Sequence, residues 1–170
     1  MDIEELLERY EVGERNFAWS VNCSRTGLFL GGVDLSGADI SGINLEGADL
    51  EGADFSGANL TGANLRGTSI EGIDLTDAIL NNADLSGASG GEGSFDDTSF
   101  VNANLSGIKM YQCVFARANF TSANLRNAVL SHSIFRNANF SNADLRNVID
   151  FKNFQDAIFF NTIMPDGSIR

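Results

Sequence analysis

The sequence predicts an all-β solenoid, a square coil of five-residue repeats closed at its start by an N-terminal capping α-helix. Three observations predict it. A large apolar residue recurs at every fifth position from Leu30 to Leu145, with Gly90 as the single break. Glycine or asparagine follows most of these centres by two places, as at Gly37, Gly42, Gly47, Asn127, Asn137 and Asn142. Phenylalanine centres repeat at a spacing of 20 in four pairs: Phe95 and Phe115, Phe115 and Phe135, Phe100 and Phe120, Phe120 and Phe140. Only two pairs, Phe100 with Phe115 and Phe120 with Phe135, repeat at 15.

A period of five excludes a straight helix, because five steps of about 100° scatter the centres around every face. It excludes a straight strand too, since an odd period puts successive centres on opposite faces. The pattern works only if the chain turns a corner inside each repeat. Glycine and asparagine tolerate the positive φ that the third position of a type II turn requires. Proline occurs once, at Pro165, as expected where stacked backbones use every N–H. The spacing of 20 makes four sides per coil. One column then runs Leu35, Phe55, Leu75, Phe95, Phe115, Phe135, and the next runs Ile40, Leu60, Leu80, Phe100, Phe120, Phe140. Coils stacked at strand spacing give a rod of roughly 35 Å.

The chain is one domain over residues 1–170, taken in order. Ile3, Leu6, Leu7 and Tyr10 follow i, i+3, i+4, i+7 spacing, and Gly13 suits a helix stop, so residues 2–12 form the cap. Residues 14–30 are irregular. Regular coils occupy 28–147. The stretch Gly87–Phe95 is an interior defect, a bulge or loop, where Gly90 removes a core side chain and Met110, twenty residues on, fills the gap. Phe154, Phe159 and Met164 fall out of phase, so 148–170 make one distorted coil and a tail. If that coil is uncovered, it invites end-to-end pairing with a second copy.

The run ADLEGADFSGANLTGANL resembles the pentapeptide-repeat family, and the match spans about residues 28 to 147. The resemblance implies a right-handed quadrilateral β-helix. The termini, MDIEELLERYEVGERNF and NTIMPDGSIR, resemble those of cyanobacterial pentapeptide proteins, including a regulator of heterocyst differentiation.

The net charge is −12 and the pI about 4.3. This argues against direct contact with nucleic acid or an anionic membrane, which need cationic surface. Residues 1–100 carry 19 acids and 4 bases, whereas 101–170 carry 4 acids and 7 bases. No apolar run approaches a membrane span, and the acidic start is unlike a leader, so a cytoplasmic location is expected. Cys23 and Cys113 lie some four and a half coils apart and are expected to be buried free thiols.

Catalytic machinery is thin: one histidine, His132, no zinc spacing and no phosphate loop. No catalytic residue, cofactor or metal is expected. Asp34, Asp54 and Asp74 stack in one column and Glu51 and Glu71 in another, and they are expected to be solvated acids rather than a cation cage. Arg66, Arg126 and Arg146 share another outward column, too few for nucleic acid. The anomaly is apolar. Most residues just before a centre are Asp, Asn or Ser, yet Val114, Val129 and Ile134 break that rule, near Tyr111, His132 and Arg136. An apolar patch rimmed by bases suits a partner protein. The expected function is therefore a non-enzymatic protein–protein interaction scaffold or regulator. The alternative is a mimic of DNA acting on a type II topoisomerase, which the resemblance implies for some members and the acidic first half suits.

Overall fold

The computed structural model describes residues 3–17 and 28–170. Helix α1, Ile3–Glu11, opens it. Leu6 is buried, and Ile3, Leu7 and Tyr10 pack on the core, so the apolar stripe faces inward. The helix ends in a Schellman cap: Gly13 N–H donates to the Tyr10 carbonyl (2.9 Å) and Glu14 N–H to the Arg9 carbonyl (3.0 Å). Gly13 takes φ +100°, which a side chain resists. Tyr10 then anchors the helix by donating to the Ser36 carbonyl at 2.7 Å.

The rest of the chain winds as a four-sided parallel coil. Parallel bridges join each residue before a centre to its equivalent twenty positions on, as in Asp34 with Asp54, Asp39 with Asn59, Asn44 with Asn64 and Asp49 with Ser69. These four columns define a first, second, third and fourth face in chain order. Each centre N–H donates onward and the preceding residue donates back, as in Leu35 to Asp54 and Asp54 to Val33, both 2.8 Å. Every backbone group that faces a neighbouring coil can thus be satisfied.

The interior is apolar and closely filled. Phe95 stacks on Phe115 (4.6 Å, 16°) and Phe115 on Phe135 (5.0 Å, 5°). Beside them Phe100, Phe120 and Phe140 stack at 5.0 and 4.8 Å. The smaller position two before each centre, usually alanine, is also buried. The corner chemistry is broader than glycine and asparagine: Glu92, Gln112, Arg117, Ser122 and His132 also take positive φ. The ladder hydrogen bonds across each corner hold these residues in a conformation they would otherwise avoid.

Both ends depart from the period. Phe17 is buried and its N–H donates to Asp39, so it sits in the Ile40 column after 23 residues instead of 20. Cys23 lies outside the described residues. Cys113 is buried and free, and burial pushes its thiol up to about 11. At the other end one residue is missing from the coil, since Asn139 pairs with Ile158 and Asp144 with Ile163. Phe159 still stacks beneath Phe140 (5.4 Å, 6°). Phe151 takes the place under Phe135, and Phe154 is displaced outward. The tail folds back as a hairpin, with Thr162 and Arg170 exchanging two backbone hydrogen bonds.

The interior defect is neither bulge nor loop. Strands β1 (Ser89–Gly91), β2 (Lys109–Tyr111) and β3 (Val129–Ser131) pair in parallel with unbroken register, forming a small sheet on the fourth face. Gly90 is required because a Cβ there would lie 2.5 Å from the Ile70 carbonyl carbon. The backbone has moved in against the preceding coil, and Met110 is buried beside it.

Candidate functional site

On most of the surface the residue before a centre has a structural task. Its side-chain oxygen accepts the N–H two places on: Ser36 to Asp34 (2.9 Å), Ser56 to Asp54 (2.8 Å) and Thr76 to Asp74 (2.9 Å). These are Asx turns repeated on every coil. The stacked Asp34, Asp54 and Asp74 therefore hold corners, which Glu51 and Glu71 do not. Among the described residues no three His, Cys, Asp or Glu side chains converge as a metal site.

The corner between the fourth and first faces, in the second half of the rod, breaks this pattern. Val114 bridges to Ile134 on the first face, and Val129 to Ile149 on the fourth. None of the four can cap a turn. Ile149, which the sequence reading missed because it follows the last regular centre, is 56% exposed. The expected patch is divided by the corner. Tyr111 and Val129 line one shallow cleft of about 350 Å³ with Ser69, Glu71, Ser89, Lys109 and Ser131. His132, Ile134 and Arg136 line a second, about 320 Å³, with Asn153 and Gln155. Ser131 and His132 are consecutive, so the clefts meet at one ridge. Val114 flanks Ile134 from the preceding coil.

Tyr111 spans the first cleft. Its ring lies across Gly91, where a Cβ would be 2.2 Å from the ring, and its hydroxyl donates to the Glu71 carboxylate. That bond, with burial second, pushes the phenol up to about 12. Glu71, Gly91 and Tyr111 share one column at intervals of twenty, so this clasp was encoded in the repeat. His132 is exposed and makes no hydrogen bond among the described residues. No nucleophile, base and orienting acid come together around it, so the corner can bind but has no assembled acid–base chemistry.

This geometry defines a quadrilateral parallel β-solenoid on which uncapped apolar residues gather at the corner between the fourth and first faces, with Phe29 and Ile79 standing apart from it. A family profile described as pentapeptide repeats, in 8 copies, matches residues 30–67, 58–89, 69–110 and 113–149. The chain belongs to the pentapeptide-repeat family, whose members fold as right-handed quadrilateral β-helices. It is similar to a pentapeptide repeat protein of the Arabidopsis thaliana thylakoid lumen (29% identity, 71% of this chain and 70% of that one, TM-score 0.45). It is similar to HetL of the cyanobacterium Nostoc, involved in heterocyst differentiation regulation (22% identity, all of both chains, TM-score 0.29). QnrB1, a plasmid-mediated fluoroquinolone resistance protein, is another (18% identity, 79% and 92%, TM-score 0.31). No curated protein matches significantly. Among the described residues no helix is long and apolar enough to cross a membrane.

Proposed function

We propose that this chain is a non-enzymatic interaction protein, of the cyanobacterial regulatory type, that holds a partner protein at the corner between its fourth and first faces. One observation carries the reading: Val114 and Ile134 stand in the column where Asp34, Asp54 and Asp74 cap turns, and Val129 in that of the capping Asp49. Each forgone cap gives up a hydrogen bond worth about 1 kcal/mol. A half-buried valine or isoleucine gains its full burial only when a second surface covers it, at about 25 cal/mol per Å². Tyr111, His132 and Arg136 supply the polar rim that such contacts carry.

The test is a crosslinking pull-down from the native cell. The double change Tyr111→Ala with Ile134→Asp is expected to lose a captured partner while circular dichroism stays native. Retention of every partner would remove the proposal. A second reading, imitation of duplex DNA, is favoured by the acids of residues 1–100, several of them stacked on the first face. A supercoiling assay with purified gyrase separates the two: the interaction reading expects no inhibition at micromolar protein.

A further inference from the structure

We infer that the occupant of this corner is an acidic segment of a partner protein, with one carboxylate seated at Lys109 and another at His132 and Arg136. The inference rests on the interaction reading above and specifies the partner's chemistry. The chain has 23 acids and 11 bases, so surface cations should readily find acids. Most do. Arg9 pairs with Glu14, Arg66 with Glu46 and Asp84, Arg117 with Asp97, Arg146 with Asp144, and Lys152 with Asp150. Arg126 acts on Asp144 through its field, Arg15 stacks on Tyr10 and Arg170 on Phe159. Among the described residues, Lys109 and Arg136 have no such partner, and both stand at this corner.

The structure keeps them so. Glu71 is the acid in the Lys109 cleft, and the Tyr111 hydroxyl holds it. Ser69 and Ser89 leave hydroxyl donors around the lysine, whereas the Ser131 hydroxyl donates to Asp150 (3.0 Å), whose carboxylate also pairs with Lys152. The second cleft is lined by no acid, and beside His132 and Arg136 it offers the side-chain amide of Gln155 and the second N–H of Asn153, whose first donates to the Ser133 carbonyl (3.2 Å). Both clefts are donor-rich, and Val129 and Ile134 give each an apolar wall. This suits alternating acidic and apolar side chains laid across the ridge. The chain's overall negative charge does not oppose it strongly, because fields beyond about 8 Å are screened at physiological salt. Two or three cations are too few to track a phosphate backbone, which favours carboxylates.

The experiment titrates isotope-labelled full-length protein with the capped peptide Glu-Leu-Glu-Leu-Glu, its Gln-Leu-Gln-Leu-Gln counterpart, and a short single-stranded oligonucleotide. Amide shifts are expected at residues 109–111 and 131–136 with the acidic peptide and not with the neutral one. Lys109→Gln with Arg136→Gln should weaken binding roughly fivefold, the effect of losing two exposed ion pairs. Arg66→Gln with Arg126→Gln, equal in net charge, should leave it within about twofold. Equal binding of the neutral peptide, shifts centred elsewhere, equal loss in the control pair, or tighter binding of the oligonucleotide would each overturn the inference. If the peptide fails while the Tyr111→Ala, Ile134→Asp variant still loses its pull-down partner, the acidic assignment alone falls.

Discussion

Tyr111 and Glu71 are 40 residues apart in the chain and joined by a hydrogen bond over the bare backbone of Gly91. The bond exists only while the phenol keeps its proton. The folded phenol titrates at about 12 rather than the ordinary 10.0. Its contribution to stability is therefore complete below pH 10 and lost as the pH rises toward about 12. Thermal melts across that window should show an alkaline decline in the native protein that is shallower in Tyr111→Phe. An identical slope in the variant would show that the clasp contributes nothing. The sequence marked Tyr111 as exposed and aromatic, but its partner was legible only by reading down the column. Arithmetic places Glu71, Gly91 and Tyr111 in line; only the folded chain lays the ring across Gly91.

At the scale of the coil, stability comes from stacking against the neighbours on either side. Phe120 is supported on every side, with Phe100 and Phe140 stacked above and below it and Phe115 and Phe135 packed at its side. Phe120→Ala should cost about 3–5 kcal/mol in denaturant unfolding, because flanking coils held by ladder bonds cannot collapse into the cavity. A cost below about 1 kcal/mol would mean that the coils pack loosely. The elements themselves were legible because a five-residue period admits few backbones. The defect at Gly90 was harder. A missing core residue looks like an interruption, yet parallel pairing on both sides keeps the register and draws the backbone inward.

The whole molecule is polarised in charge and unequal at its ends. Helix α1 packs over the first coils, whereas the terminal hairpin shields only the third-face side of the last. On the unshielded second-face side, where Ile158 pairs with Asn139, Phe160 is 69% exposed and Ile158 is exposed as well. In regular coils the residues equivalent to Phe159 and Asn161 donate backbone N–H groups to the next coil, so this side is an open edge. Concentration-dependent, end-to-end self-association is the expected result, and Ile158→Lys with Phe160→Ser should abolish it in sedimentation equilibrium. A native protein that stays monomeric at every concentration would refute it.

Period, corner chemistry and the phenylalanine columns determined the square coil and its interior, because these depend on contacts that repeat at a constant interval, and the helical spacing of Ile3, Leu6, Leu7 and Tyr10 determined the N-terminal helix. The anomalous side chains at Tyr111, Val114, Val129, His132, Ile134 and Arg136 were visible for the same reason, as departures from a repeat. Their division between two clefts, the Tyr111 clasp and the solitude of Lys109 and Arg136 were decided only in three dimensions. They depend on side-chain directions and on which acids reach which bases, and a one-dimensional period carries neither.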